Sequence, residues 1–203
     1  MTPTGAPAAG PAPAPVARAA PPPRVFVGIK IAPEIAAQLA AFAIGLERPF
    51  ARPVPTADIH LTLVPPWNEP STADAVAKLG RVAESFAAFT LVFQHVGYGP
   101  QPRRPRLVWA DCAAGEDITA LQAALMQAYG RNEERAFQPH VTIARIRGDG
   151  RAIARNHPID QQLSLTQRIE SVELFQSPPP GENGYRILAS LPLGEAVSPA
   201  LDP

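Results

Sequence analysis

The chain reads as an α+β fold, bilobal, with two pseudo-symmetric sheet-and-helix lobes around a central cleft, and three observations point there. Strand-like and helix-like segments run strand, helix, strand, helix, then strands, helix, strand, strands, an order repeated on a rough eighty-residue scale. The frame HLTL, from His60 to Leu63, recurs as HVTI, from His140 to Ile143. A length of 203 residues with 46% apolar side chains suits one domain of two lobes and a substantial core. No period of about 20 to 50 residues is visible, which excludes a solenoid.

The segment 1–23 is rich in proline and alanine and lacks a basic start. It reads as a disordered tail rather than a signal peptide. The folded domain is expected over 24–194 and a flexible C-terminus over 195–203. RVFVGIKI, from Arg24, has the β-branched and aromatic alternation of a strand. Pro33 opens a helix through about Leu46, because proline fits a first helical turn and the Ala/Leu-rich stretch favours helix. Residues 58–64 form the first motif strand. Ser71 with Asp74 resembles a capping box ahead of the helical AVAKLGRVAESFAAF. Strands follow at about Thr90–Tyr98 and Leu107–Asp111, then a helix from Asp117 to Tyr129 that Gly130 can end. The second motif strand runs from His140 to about Ile146. Late strands are expected near Ile169–Gln176 and Tyr185–Leu191, with PPPGENG as the turn between them.

Net charge is zero, so the whole chain exerts no general attraction on nucleic acid or anionic membrane. Only Lys30 and Lys78 among the eighteen cationic residues are lysines. Arginine suits bidentate phosphate contacts, although abundant Ala, Pro and Arg also describe a GC-rich genome, which accounts for most of them. Cys112 is alone, so no internal disulfide forms and a reducing cytoplasm is the natural compartment. Its expected role is a small buried apolar residue. No run of about 18 apolar residues exists, so no membrane span is expected. The Gly-rich fingerprints for nucleoside triphosphates and dinucleotides are absent, and no cofactor is expected.

Each motif alternates polar and apolar residues, so on a strand its histidine and threonine share one face while the apolar pair takes the other. Two imidazoles suit an in-line displacement at phosphorus. One neutral ring takes a proton from water or a hydroxyl, and a second, protonated, gives one to the departing oxygen. They must approach from opposite sides, which residues on two lobes can do. Thr62 and Thr142 can donate hydroxyl hydrogen bonds to the non-bridging oxygens as charge builds there. Metal binding is the competing chemistry, but partners at ligand spacing are missing and no metal is expected. His95 and His157 lack the frame and read as surface or structural residues.

Three residues after Thr142, Arg145 falls on the opposite face of an ideal strand; a bulge or the strand end would turn it toward the phosphate, and otherwise it is a solvated arginine. The run RRPR, from Arg103 to Arg106, is either the border of a groove for a phosphate backbone or a solvated loop. Trp67, Tyr98 and Phe137 near the motif ends are either base-stacking platforms or core residues.

With these residues in view, the chain resembles the two-histidine phosphoesterases, whose members carry two H-x-[ST]-x motifs about this far apart. Within that group it is most similar to the RNA 2′,3′-cyclic phosphodiesterases, also named 2′-5′ RNA ligases. The likeness runs from RVFVGIKIAPEI through HLTL, PRLVWAD and PHVTIAR to LFQS and GYRIL. The resemblance implies a metal-independent, monomeric enzyme that opens a 2′,3′-cyclic phosphate, on an RNA end or a small cyclic nucleotide, to a 2′-phosphomonoester. It implies His60 as the general acid at the leaving 3′ oxygen and His140 as the general base on water, with Thr62, Thr142 and Arg145 on the phosphate. Alternatives are 2′-5′ ligation or cleavage, and a nucleotide- or RNA-binding module without turnover. One departure bears on substrate: where these enzymes usually continue the first motif into lysine, phenylalanine, leucine and glycine, this chain reads VPPWNEP from Val64. Two prolines restrict that segment and remove two backbone donors.

Overall fold

The two motif segments form neighbouring strands at the centre of one antiparallel sheet, because their apolar pairs need a core while their histidines and threonines do not. The computed structural model describes residues 21–44, 50–179, 182 and 184–195. Along the chain these fold as β1 (Arg24–Lys30), α1 (Pro33–Ile44), β2 (Ala51–Pro53), β3 (His60–Asn68), α2 (Thr72–Ala83), β4 (Phe89–Gly99), β5 (Leu107–Cys112), α3 (Glu116–Ala128), β6 (His140–Ile146), α4 (Gly150–Asn156), β7 (Gln161–Ile169), β8 (Ser171–Gln176) and β9 (Arg186–Pro192). The mixed α+β class is the expected one.

Strand order is β7-β4-β5-β6-β3-β1-β8-β9, with β2 added to β6. The junction of β6 and β3 leaves four strands of that order on each side, so each motif strand is the inner strand of its four. Among the described residues the halves meet at a single registered pair, Leu61 with Val141. Leu61, Leu63, Val141 and Ile143 are at most 1% exposed, whereas the intervening histidines and threonines are half-buried. Helix α3 packs against β3 and β4, α1 against β6 and β2, and α2 against α3, β8 and β9.

Local signals explain the helix ends. Ser71 caps α2, its Oγ accepting the Asp74 amide at 3.3 Å. The reciprocal half of the box comes from Glu69 instead, whose Oε1 accepts the Ser71 amide at 2.9 Å. Helix α2 stops at Ala83, short of the expected AVAKLGRVAESFAAF, because the Gly194 amide donates to the Ala83 carbonyl at 3.1 Å and the C-terminal segment closes on that end. Gly130, at φ +60, ends α3 as anticipated. The Arg131 amide bonds to the Met126 carbonyl at 2.8 Å and that of Gly130 to Gln127 at 3.0 Å, the paired bonds of a Schellman motif.

Several boundaries differ from expectation. The first motif strand begins at His60 after a short 3-10 turn at Thr56–Asp58 and continues to Asn68. Ile169 closes β7, so the next strand starts only at Ser171. Strands β2 and β7 and helix α4 were not among the expected elements. The expectations for Leu46, for part of PPPGENG, and for nearly all of 1–23 and 195–203 lie outside the described residues. Among the described residues no helix is long and apolar enough to cross a membrane. Cys112 is buried, and burial first, then the Asp111 carboxylate, pushes its thiol up to about 12, which suits a packing role.

Candidate active site

A bulge decides which side chains leave β6 toward solvent. In the pairing with β5, Thr142 lies opposite Trp109 and Ala144 opposite Val108, so two steps on β6 match one on β5. The extra residue makes Ile143 and Ala144 both fully buried and returns Arg145 to the side that carries His140 and Thr142. Of the two positions left open for Arg145, the structure shows the one aimed at the cleft. Strand β3 carries the same irregularity, with Thr62 opposite Gly28 and Val64 opposite Val27. Five residues beyond the first histidine, however, stands Pro65 in place of arginine. A second shift, in which Val25 pairs with Trp67 and Val27 with Val64, sets Pro65 and Pro66 in a bulge where the ladder has no use for their missing donors.

The result is a cleft of about 620 Å³ with His60, Thr62, His140, Thr142 and Arg145 all on its wall. Nδ1 of His60 lies 2.7 Å from the Asp58 carbonyl, and Nδ1 of His140 lies 2.8 Å from the Gln138 carbonyl. A carbonyl only accepts, so each ring donates from Nδ1 and its Nε2 is left for other chemistry. Both rings are held from the residue two positions earlier.

The surroundings of the rings differ. His60 sits among Phe26 at 4.8 Å, Tyr185 at 4.9 Å and Phe175 at 5.5 Å between ring centroids, whereas His140 packs on Trp109 at 4.2 Å with the ring planes tilted by 43°. Burial in that aromatic surround pushes the His60 imidazole below its ordinary value. The Asp58 carbonyl and carboxylate oppose the shift, and the charges of Arg145 and His140 add to it. The Asp58 carboxylate also accepts the Tyr185 amide at 3.0 Å.

Arg52, Asp58, Phe26 and Tyr185 also line the cleft and were not singled out in the sequence. The aromatics that were have other places. Trp67 packs on Tyr129 and Arg131 and donates Nε1 to Glu69. Tyr98 is buried and donates its hydroxyl to the His157 carbonyl at 2.6 Å, and Phe137 lines a neighbouring cavity. Arg104 and Arg106 of the RRPR run border a separate cavity of about 590 Å³ with Gly148 and Asp149. His95 bonds Asp160 at 2.8 Å, away from the cleft, and His157 packs on Phe50. Among the described residues no three His, Cys, Asp or Glu side chains gather as a metal site.

Residues 31–177, which hold both motif strands and Arg145, match the family described as the 2′-5′ RNA ligase superfamily. The chain belongs to that superfamily. This bears out the resemblance drawn from HLTL and HVTI. Among relatives of this superfamily member, an Aeropyrum pernix protein named RNA 2′,3′-cyclic phosphodiesterase is 32% identical over 108 residues, covering 50% of this chain and 57% of that one. The chain thus matches little more than half the length of that curated relative. Crystal structures show the same fold. The protein TT0787 of Thermus thermophilus superposes with a TM-score of 0.71 at 24% identity, over 85% of this chain and 99% of the other. E. coli LigT complexed with 3′-AMP gives 0.67 at 25%, over 85% and 98%.

Proposed function

We propose that this superfamily member opens 2′,3′-cyclic phosphates, on RNA ends or small nucleotides, to 2′-phosphomonoesters without a metal ion. The observation that carries this reading is that two imidazoles, each fixed at Nδ1 by a backbone carbonyl, share one cleft with two hydroxyls and a guanidinium. The relative named RNA 2′,3′-cyclic phosphodiesterase and the nucleotide complex of LigT support the choice of substrate.

In this mechanism Nε2 of His140 takes a proton from water as its oxygen attacks phosphorus. The bond from phosphorus to the 3′ oxygen breaks, and His60 gives its Nε2 proton to that oxygen. A 2′-phosphomonoester and a free 3′ hydroxyl leave, and the two rings regain their starting states by exchange with solvent. Thr62, Thr142 and Arg145 balance the charge that builds on the non-bridging oxygens. The lowered His60 value leaves the ring mostly neutral in the empty cleft. The anionic substrate reverses that effect by favouring the protonated ring, so the acid is armed by what it acts on.

The test is an assay of 2′,3′-cyclic mononucleotides and a short cyclic-ended RNA with the 2′ and 3′ products resolved, in the presence of a chelator. Release of 2′-phosphates that persists in chelator is expected. Loss in chelator with recovery on adding zinc would overturn the mechanism, and joined 2′-5′ products would assign ligation instead. Tight binding of 2′-phosphates with no turnover at any pH would leave a binding module.

A further inference from the structure

Arg52 lies directly opposite Arg145 in the antiparallel pairing of β2 with β6, and both line the cleft. Opposed residues on neighbouring strands share a face with Cβ atoms about 4.5–5.5 Å apart, and like charges so placed repel. Among the described residues neither arginine forms a contact ion pair. Asp58 and Glu182 stand on the same wall, yet the ion pairs among the described residues both involve His95. Two like charges on one wall, neither of them in an ion pair among the described residues, suit an anion from solution. Strand β2 sits on the edge of β6 that also meets β3, pairing from Ala144 to Ile146 while β3 pairs at Val141. The second guanidinium therefore stands beside the reacting site, displaced along β6 from the histidines.

We propose that Arg52 is a specificity residue that binds a second phosphate, the one on the 5′ oxygen of the nucleoside whose cyclic phosphate is opened. The cleft then favours 5′-phosphorylated nucleotides and RNA ends over cyclic nucleotides that end in a 5′ hydroxyl. This rests on the reading of a cyclic phosphate as the reacting group. In that reading Arg145 faces the reacting phosphate and Arg52 faces its neighbour across the ribose, so one anionic substrate satisfies both guanidinium groups.

The experiment compares kcat/KM for a nucleoside 2′,3′-cyclic phosphate, the same compound bearing a 5′-phosphate, and a dinucleotide ending in the cyclic phosphate. Wild-type protein is expected to prefer the two phosphorylated substrates by about tenfold or more, the range of one charge-assisted hydrogen bond. In Arg52→Gln that ratio should collapse toward one, and Arg52→Lys should keep part of it. Equal gains for both substrates assign the phosphate itself, from either source; a gain for the dinucleotide that survives in Arg52→Gln overturns the proposal, as does an unchanged ratio. If wild-type protein opens none of the three, the cyclic-phosphate reading fails separately. Calorimetric titration with adenosine 2′-phosphate and adenosine 2′,5′-bisphosphate then reads the second site directly. Tighter binding of the bisphosphate that Arg52→Gln abolishes supports the assignment, and equal affinities refute it.

Discussion

The His60 ring donates from Nδ1 to the Asp58 carbonyl at 2.7 Å, while the carboxylate of that same aspartate accepts the Tyr185 amide at 3.0 Å. Asp58 thus orients the imidazole, anchors an aromatic that faces it, and places a negative charge beside it. Arg145 acts on the ring with the opposite sign. Asp58→Asn should therefore move the His60 value further down, and Arg145→Gln should move it up. If His60 is the acid, its deprotonation sets the alkaline limb of kcat/KM in the free enzyme. That limb should shift to lower pH in the first variant and to higher pH in the second. Movement of the acid limb instead would exchange the roles of the two histidines.

Stability should carry the same signature. The folded value of His60 lies below its ordinary one, so between the two values the unfolded chain binds more protons than the folded chain. The contribution is full above the ordinary value and is lost as pH falls through the folded one. Melting temperature should drop between about pH 7 and 5, and less steeply in His60→Gln, because an amide does not titrate in that range. Parallel curves for the two proteins would contradict the burial argument.

Loss of either imidazole should cost far more activity than stability. His140→Ala and His60→Gln should each lower kcat by about a hundredfold to ten-thousandfold on a 2′,3′-cyclic nucleotide. The double variant should be little worse than the weaker single one, since the rings act as a unit. Thr62→Ala and Thr142→Ala should each cost about a hundredfold or less, as expected for one donor to a developing charge. His140 is half-buried, so its alanine variant should unfold close to wild type in a thermal scan. Full turnover without both rings would refute the mechanism.

Gly28 provides a test of how the first motif strand is seated. It pairs with Thr62, and a Cβ there would come within 2.5 Å of the Leu61 carbonyl oxygen. Backbone cannot swing aside as a side chain can, so Gly28→Ala should destabilise by about 1–3 kcal/mol. Urea unfolding measures this, and a midpoint equal to wild type would show that the sheet opens there without strain.

Much of the site was legible because it depends on local alternation. HLTL and HVTI each announce a strand with histidine and threonine on one face, and the cleft gathers all four. What stayed hidden depends on partners. The aim of Arg145 follows from its register against β5, which no window of sequence around it contains. Arg52 lies on a three-residue strand between prolines, and its place is visible only across from Arg145. Strand β7 does alternate, with Leu163, Leu165 and Ile169 on its inner side, but Gln167 breaks that apolar row, and the seven residues of α4 bury only Gly150 and Ile153. Of the two readings left for Trp67, packing against the core is the one found: it follows the first motif closely, but past the bulge at the two prolines it meets Tyr129 and Arg131.

Since the residue inserted at Ile143–Ala144 carries no side chain into the cleft, its worth lies wholly in counting. Were the ladder to run regularly through that point with the sequence unchanged, every following position would trade places, sending Ile146 toward the substrate and Arg145 toward the oil of the core. An odd offset between histidine and arginine on a strand, which at first sight argues against cooperation, is thus the mark that a kinked ladder lies between them.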